Sequence, residues 1–298
     1  MTAVRRRDVR KNRKNRVFVS MVPTITLNNG VEMPQLGFGV WQVPDAEATA
    51  AVATALEAGY RSIDTAAVYG NEEGTGKALA ASGIPRAELF VTTKLWNSAS
   101  ETWTRDNVLR EFDASLDKLG LDQVDLYLLH WPRAFRDDYL TILRTFAEIA
   151  ASGRARAIGV SNFQVPHLER LLDETSVVPA VNQIELHPNL AQAELRAFHA
   201  RHGITTEAWS PLGQGKGLLE DATIAGIAAK HGRTPAQIVL RWHLQLGNVA
   251  IPKSVTPSRI RENLDVFGFE LDADDLRVIA GLDNGTRLGP DPDEFDQY

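Results

Sequence analysis

The chain has 298 residues, of which 44% are hydrophobic and 23% charged, and its formal net charge is −6 at pH 7. These proportions are ordinary for a globular protein, and the length suits either two small domains or one large barrel. The absence of cysteine excludes a disulfide framework, a cysteine-ligated zinc site and a thiolate nucleophile. No apolar run approaches the ~18 residues that a membrane-spanning helix requires, so we expect no membrane association.

The first 22 residues are strongly basic. Residues 5–16 hold eight lysines and arginines and one aspartate, and removing residues 1–20 changes the net charge from −6 to −13. Such a segment is typical of a nucleic-acid-binding or targeting arm, or of a disordered extension that precedes a true start at Met21. We favour the extension, because the acidic remainder would repel nucleic acid and no long apolar segment follows the charges, as a secretory signal would require. We therefore expect no nucleic-acid partner, a cytoplasmic location and one domain over residues 23–298.

The predicted secondary structure begins with a small hairpin, in which strands at 24–27 and 31–33 flank an Asn-Gly turn. Eight apolar, strand-like runs then alternate with helical patterns along the rest of the chain. The strands are predicted at 36–41, 60–65, 89–95, 124–131, 155–162, 180–186, 205–212 and 249–254. The helices are predicted at 45–58, 71–82, 103–119, 138–152, 165–173, 192–202, 221–246 (as two helices), 257–266 and 273–282.

Eight strand–helix units without an internal linker predict a single α/β domain, a (β/α)8 TIM barrel whose bottom is closed by the N-terminal hairpin. The structural alternative is a doubly wound parallel sheet, which would carry a Gly-x-Gly-x-x-Gly turn after its first strand. Gly37 and Gly39 occupy the first two of these positions, but Gln42 occupies the third. Because a barrel carries its active site at the C-terminal ends of its strands, polar residues at those ends are the candidates for function.

Four ionisable side chains lie at or just beyond the ends of three successive predicted strands: Asp64, Tyr69, Lys94 and His130. A tyrosine has a free pKa of roughly 10, and a neighbouring ammonium group lowers that pKa and makes the phenol a better acid. Asp64 would hold Lys94 charged and oriented, while His130 would hydrogen-bond a substrate oxygen. A phenolic acid reduces a carbonyl only together with a hydride donor. No amino acid supplies hydride, so the pattern predicts a nicotinamide cofactor.

Later strand ends carry groups that suit a nicotinamide carboxamide and ring. These groups belong to Ser161, Asn162, Gln183 and Trp209. Beyond the last strand, Lys253 and Arg259 lie around the start of a helix, with Thr256 as its N-cap and Pro257 at its first position. Helix N-termini bind anions, and the two cations suit an adenosine 2′-phosphate, so NADPH is favoured over NADH.

Each candidate also has a purely structural interpretation. Asp64 and Lys94 would form an ordinary ion pair inside the barrel, and His130 would be a hydrogen-bonded core histidine. Three tryptophans at the strand-end rim would belong either to the core or to an apolar substrate wall: Trp41, Trp96 and Trp131. The joint placement of all these residues at strand ends favours the active-site interpretation. No His-Glu-x-x-His spacing is present, so we expect no metal site.

These residues resemble the aldo-keto reductase family over some 270 residues, from about Pro23 to the end of the chain. The segments that carry the resemblance are 59–73, 119–132, 158–163, 181–188 and 251–254. The resemblance implies an NADPH-dependent oxidoreductase that reduces an aldehyde or ketone, with Tyr69 as proton donor and Asp64, Lys94 and His130 completing the catalytic tetrad. The family's cofactor contacts fall on Ser161, Asn162, Gln183, Trp209, Ser210, Leu212, Lys253, Ser254, Val255, Thr256, Arg259, Glu262 and Asn263.

Within the family, the chain is most similar to the bacterial 2,5-diketo-D-gluconate reductases, on segments 209–216, 236–243 and 292–294. This similarity implies a small carbonyl substrate, either 2,5-diketo-D-gluconate or another dicarbonyl or sugar-derived compound. The short tail after Asp283 implies an open substrate mouth, and we expect a monomer. Two other functions stay open: an NADPH-binding redox sensor with slow turnover, and a barrel hydrolase with paired carboxylates that binds no nicotinamide.

Overall fold

The structure, a computed structural model, describes residues 22–97 and 103–296, without the side chain of Ala134. Apart from Val22, the basic segment predicted at 1–22 lies outside the described residues. Two short antiparallel strands, β1 (Thr24–Thr26) and β2 (Glu32–Pro34), form the predicted hairpin. Among the described residues, no helix is both long and apolar enough to span a membrane.

Eight parallel strands follow, each hydrogen-bonded to the next in chain order. They are β3 (Phe38–Gly39), β4 (Ser62–Asp64), β5 (Phe90–Leu95), β6 (Val124–Leu129), β7 (Ala155–Ser161), β8 (Val181–Glu185), β9 (Thr205–Trp209) and β10 (Val249–Ala250). A parallel bridge between Leu36 and Ala250, with the Gly37 amide donating to the Ala250 carbonyl at 2.9 Å, joins the first strand to the last. The sheet therefore closes, which confirms the predicted TIM barrel.

Helices cover the outside of this sheet, between consecutive strands and, at the end of the chain, after the last strand. In the described residues they are α1 (Asp45–Ala58), α2 (Glu72–Ala81), α3 (Arg105–Leu119), α4 (Tyr139–Ala151), α5 (Val165–Glu174), α6 (Ala193–His202), α7 (Ala222–His231), α8 (Pro235–Gln245), α9 (Pro257–Leu264) and α10 (Ala273–Ala280). The long helical pattern at 221–246 is two helices, as predicted. Gly232 ends α7 in the left-handed conformation, and the Thr234 hydroxyl caps α8 by accepting from the Gln237 amide.

The last strand is shorter than predicted. The apolar run at 249–254 predicts six residues, but β10 has only two. Pro252 lies within that run and has no N–H to donate to a neighbouring strand, so the ladder stops before it. The Pro252 carbonyl still accepts from the Gly39 amide at 3.2 Å, so the chain stays bonded to the first barrel strand just after β10.

The N-terminal hairpin closes the bottom of the barrel. Leu27 and Met33 from the hairpin share a buried apolar cluster with the strand residues Phe90, Leu126 and Val249. The next residues along these strands, such as Tyr127, belong instead to the larger cluster between strands and helices, as the two-residue period of a strand requires. With its bottom sealed by apolar side chains, the barrel is accessible at its C-terminal mouth.

Candidate active site

Three of the four predicted catalytic residues meet inside the barrel mouth. Asp64 ends β4, Lys94 lies near the end of β5, and Tyr69 lies in a short 3-10 helix after β4. The Lys94 ammonium donates to Asp64 Oδ1 at 2.6 Å and to the Thr65 carbonyl at 2.9 Å, and its Nζ lies 3.4 Å from the Tyr69 hydroxyl oxygen. The fully buried ammonium is therefore fixed between a carboxylate and a phenol.

The fourth, His130, follows β6 and lies against the other side of Tyr69. Its ring centroid is 5.7 Å from that of Tyr69 and 5.0 Å from that of Trp96, edge-to-face in both pairs. The His130 carbonyl accepts from Asn162 Nδ2 at 3.0 Å, which holds the backbone at this strand end. Within the described part of the chain, no carboxylate pairs with the imidazole. The structure thus brings the predicted tetrad together at one place.

Burial decides the protonation states of these groups. Loss of water, with the nearby Lys94 charge, holds the pKa of His130 well below its usual value, so the ring is neutral near pH 7. Burial also raises the pKa of Tyr69, although the Lys94 ammonium acts in the opposite direction. The Lys94 ammonium lowers the Tyr69 pKa, as predicted, but loss of water outweighs it and the net shift is upward. The phenol keeps its proton at neutral pH, as a proton donor must.

The predicted carboxamide ligand Gln183 lies at the centre of the barrel, between two carboxyl groups. Its Nε2 donates to Asp64 Oδ2 and to Glu207 Oε2, each at 2.9 Å. Gln183, Asp64 and Glu207 are all buried. Glu207, on β9, is absent from the sequence-predicted site. Burial and the Asp64 charge raise the pKa of Glu207 to about 8, a perturbation of the kind found at functional sites.

Ser161, Asn162 and Trp209 form a second network beside the first. Asn162 has a positive φ of 64°, and its Nδ2 reaches Ser161 Oγ at 3.1 Å. Its Oδ1 accepts from Trp209 Nε1 at 2.8 Å, which holds the indole by its edge and leaves its faces for stacking. The Ser161 hydroxyl donates to the Gln183 carbonyl at 2.7 Å. All the residues predicted to contact the nicotinamide therefore share one hydrogen-bonded network.

Two cations lie near the N-terminus of α9, as predicted. Lys253 and Arg259 are exposed, and neither has an ion-pair partner within residues 22–97 and 103–296. Thr256 is the N-cap residue of α9 and Pro257 is its first residue, as predicted, but the Thr256 side chain makes no capping hydrogen bond. Uncapped amide groups and two unpaired cations together make a positive site suited to a phosphate.

Comparison with known proteins identifies the family. The profile of the "Aldo/keto reductase family" matches residues 35–284. The chain belongs to the aldo/keto reductase family. It is 55% identical over 275 residues to "Methylglyoxal reductase DkgA" of Escherichia coli (strain K12), covering 91% of this chain and 97% of that protein. It is 57% identical over 275 residues to an aldo-keto reductase of Mycolicibacterium smegmatis, covering 92% and 98% respectively.

Solved structures agree with this assignment. The crystal structure of an aldo/keto reductase from Brucella melitensis has a TM-score of 0.84 and 55% identity, covering 88% of this chain and all of that one. The crystal structure of the Gox0644 D53A mutant in complex with NADPH has a TM-score of 0.88 and 48% identity, covering 93% and 99%. The barrel, with its strand-end site, is therefore that of an aldo/keto reductase.

The other predicted cofactor residues of this aldo/keto reductase lie on two loops and in helix α9. Ser210 has a positive φ of 48° and accepts from Gln214 Nε2 at 3.1 Å, and Leu212, half-buried, follows it. Ser254 Oγ accepts from the Thr256 amide, beside the exposed Val255. Glu262 accepts from the Thr234 hydroxyl at 2.8 Å, and Asn263 is buried next to it. The Glu262 carboxylate is therefore partly used by Thr234, the N-cap residue of α8.

Two of the three tryptophans predicted as a substrate wall, Trp96 and Trp131, pack against Phe295, a residue that sequence reasoning missed. Trp41 is 42% exposed and Trp96 is half-buried, so both present indole surface at the mouth. Trp131 is buried, because Phe295 covers it with ring centroids 4.1 Å apart. Phe295 also meets the Trp96 ring at 6.1 Å. Phe295 therefore joins Trp96 and Trp131 in one aromatic cluster.

Phe295 reaches this place because the C-terminal tail is anchored across the mouth. The buried Glu185 carboxylate, at the end of β8, accepts from the Leu288 amide at 2.6 Å and the Gly289 amide at 2.9 Å. A Cβ on Gly289 would lie 2.5 Å from the Trp209 ring, so only glycine allows this approach. An acidic residue at a buried strand end was the one available signal for this anchor.

Proposed function

We propose that this aldo/keto reductase uses NADPH to reduce an aldehyde or ketone to the alcohol, with Tyr69 as the general acid. The observation that carries the proposal is the contact of 3.4 Å between Lys94 Nζ and the Tyr69 hydroxyl, with Asp64 2.6 Å from the same ammonium. When bound, NADPH would supply the hydride that no side chain can provide. Every other role falls to residues of the chain.

Tyr69 would donate its proton to the substrate oxygen. Lys94 directs an N–H toward the phenol oxygen, so the phenol proton is free to point away from the ammonium and toward the mouth. The ammonium would stabilise the negative charge that remains on Tyr69 after proton transfer, and Asp64 keeps the ammonium in place. The neutral His130 ring would donate a hydrogen bond to the same substrate oxygen and orient the carbonyl.

The residues present suit NADPH. Gln183 Oε1 receives no hydrogen bond from any described residue, and the indole of Trp209 is held by its edge beside it. Gln183, Ser161 and Asn162 would hold the carboxamide, and Trp209 would stack on the ring. At the far end, Lys253 and Arg259 would hold the 2′-phosphate that distinguishes NADPH from NADH.

The substrate we propose is a small dicarbonyl or sugar-derived carbonyl compound, such as 2,5-diketo-D-gluconate. Two observations support this size class: Phe295 packs on Trp96, which itself packs against His130, and relatives at 54–55% identity are named methylglyoxal reductase. A redox sensor with slow turnover would not need aromatic side chains arranged beside a substrate site. A barrel hydrolase would need two carboxylates facing a substrate, whereas Asp64 and Glu207 face the Gln183 amide.

A panel of carbonyl compounds tests the proposal. The full-length protein is mixed with NADPH and diketogluconate, methylglyoxal, an aromatic aldehyde or a keto ester, and NADPH absorbance is followed, with NADH in parallel. We expect many turnovers per protein with a small dicarbonyl and much weaker activity with NADH. Binding of NADPH without multiple turnovers on any compound would instead indicate the sensor, and no NADPH binding would contradict the proposal altogether.

A further inference from the structure

Glu207 is a fully buried carboxyl group in the catalytic network. One of its oxygens, Oε2, accepts from Gln183 Nε2, while Oε1 has no hydrogen-bond partner among the described residues. Through Gln183, the group connects to Asp64, Lys94 and Tyr69 in a continuous chain of contacts. A buried carboxyl group is costly, so its place beside Gln183 calls for a function.

The two carboxyl groups determine which way the Gln183 amide faces. An amide presents two N–H donors on nitrogen and an acceptor on oxygen, and the two ends have nearly the same shape. The Asp64 carboxylate oxygen Oδ2 can only accept, and this oxygen and Glu207 Oε2 each lie 2.9 Å from the same amide atom, so that atom is the nitrogen. A flipped amide would place three oxygens against one another.

The orientation of the Gln183 amide decides which of its atoms is available to a ligand at the barrel mouth. With both N–H groups of Gln183 occupied, only its oxygen, Oε1, is available to a ligand, and no described residue donates to it. The Gln183 side chain can therefore accept a hydrogen bond but cannot donate one. Burial and the Asp64 charge raise the pKa of Glu207 to about 8. A protonated Glu207 still has a carbonyl oxygen that can accept the second N–H of the Gln183 amide.

We propose that Glu207 is a positioning residue that, together with Asp64, locks Gln183 as a hydrogen-bond acceptor for the N–H group of the nicotinamide carboxamide. This inference rests on the proposed function and goes beyond it, because it assigns Glu207 a role in cofactor recognition without direct contact. In the absence of Glu207, the Gln183 amide keeps one partner and gains freedom to rotate. Gln183 Oε1 would then face the nicotinamide carboxamide for only part of the time.

The test compares NADP⁺ with its 3-acetylpyridine analogue, in which a methyl group replaces the carboxamide NH2. Tryptophan fluorescence gives the dissociation constant of each dinucleotide for the wild type, Glu207→Gln and Glu207→Met. We expect the wild type to prefer NADP⁺ by about fivefold, the value of one neutral hydrogen bond. Glu207→Gln keeps an acceptor oxygen for Gln183 and keeps the preference. Glu207→Met, similar in size, removes the acceptor and brings the ratio close to one.

Two further variants make the outcome decisive. Glu207→Asp withdraws the acceptor by one methylene and is expected to lose part of the preference, so it replaces Glu207→Met if that protein does not fold. Glu72→Gln alters another buried carboxyl group, bonded to Thr93 and outside the network, and should keep the wild-type ratio.

An unchanged ratio in folded Glu207→Met and Glu207→Asp, with both dissociation constants raised equally, would overturn the inference and leave Glu207 a packing role. Equal affinity of the wild type for the two dinucleotides would overturn the assigned orientation of Gln183. A wild-type protein that binds neither dinucleotide would overturn the proposed function itself, so the two failures are distinguishable.

Discussion

Lys94 Nζ lies 3.4 Å from the Tyr69 hydroxyl oxygen and 4.9 Å from the centroid of its ring. At this distance, the ammonium stabilises a phenolate more than a phenol, yet burial keeps the Tyr69 pKa above its ordinary value. The two effects together describe a phenol that keeps its proton at neutral pH and lies beside a positive charge that would stabilise the phenolate. The same ammonium helps keep His130 neutral.

Arg259→Ala should weaken NADPH binding by about tenfold or more, since a charged hydrogen bond is worth roughly 1.5–3 kcal/mol. NADH lacks the 2′-phosphate, so its affinity should change by less than twofold. Fluorescence titration with each cofactor measures both effects. Arg261→Ala is the matched control, because Arg261 is exposed on the same helix and donates to the Pro257 carbonyl. Equal losses for both cofactors in Arg259→Ala would argue against a 2′-phosphate site.

Phe295→Ala should raise KM for small dicarbonyls several-fold while leaving NADPH affinity unchanged. The substitution removes the ring that covers Trp131 and faces Trp96, so the mouth widens and a small substrate loses apolar contact. Steady-state kinetics and cofactor titration separate the two effects. Glu294→Ala, an exposed neighbour in the same tail, should behave as the wild type. An unchanged KM in Phe295→Ala would remove Phe295 from the substrate wall.

Glu207 should also make stability depend on pH. Its folded pKa is raised to about 8 from an ordinary value of 4.5, so the folded state binds an extra proton between these values. The free energy of unfolding should therefore fall, relative to Glu207→Gln, as pH rises from 5 to 8, by on the order of 1 kcal/mol per pH unit. Asp64 and Lys94 face the same network and are common to both proteins. Urea unfolding at several pH values measures the free energy of unfolding of both proteins. If the wild type and Glu207→Gln depend on pH in the same way, the raised pKa of Glu207 is contradicted.

Most of the fold was predictable because barrel strands and helices have different hydrophobic periods. The break between α7 and α8 follows from Gly232 and Pro235, whose conformations are local properties. Strand ends were less predictable. Whether a residue such as Pro252 joins a ladder depends on the neighbouring strand, which lies far away in sequence.

The site was predictable where chemistry is concentrated at strand ends, as at Asp64 and Lys94. Glu207 was missed, although it lies two residues before Trp209 on the same strand and alternation places both on one face. That alternation was the available signal. Phe295 could not be found in this way, because its position depends on the tail anchor at Glu185, a contact between residues more than 100 positions apart. The net pKa of Tyr69 required knowledge of burial, which sequence alone does not supply.

The most direct measurement is the turnover of Tyr69→Phe with a small dicarbonyl, together with its affinity for NADPH. General acid catalysis contributes typically 10²–10⁴-fold, so turnover should fall by about that factor while the NADPH dissociation constant stays within twofold. Tyr60→Phe, which loses a hydroxyl bonded to the Ile260 carbonyl, is the control and should remain active. Near-normal turnover in Tyr69→Phe would contradict the assignment of Tyr69 as the proton donor.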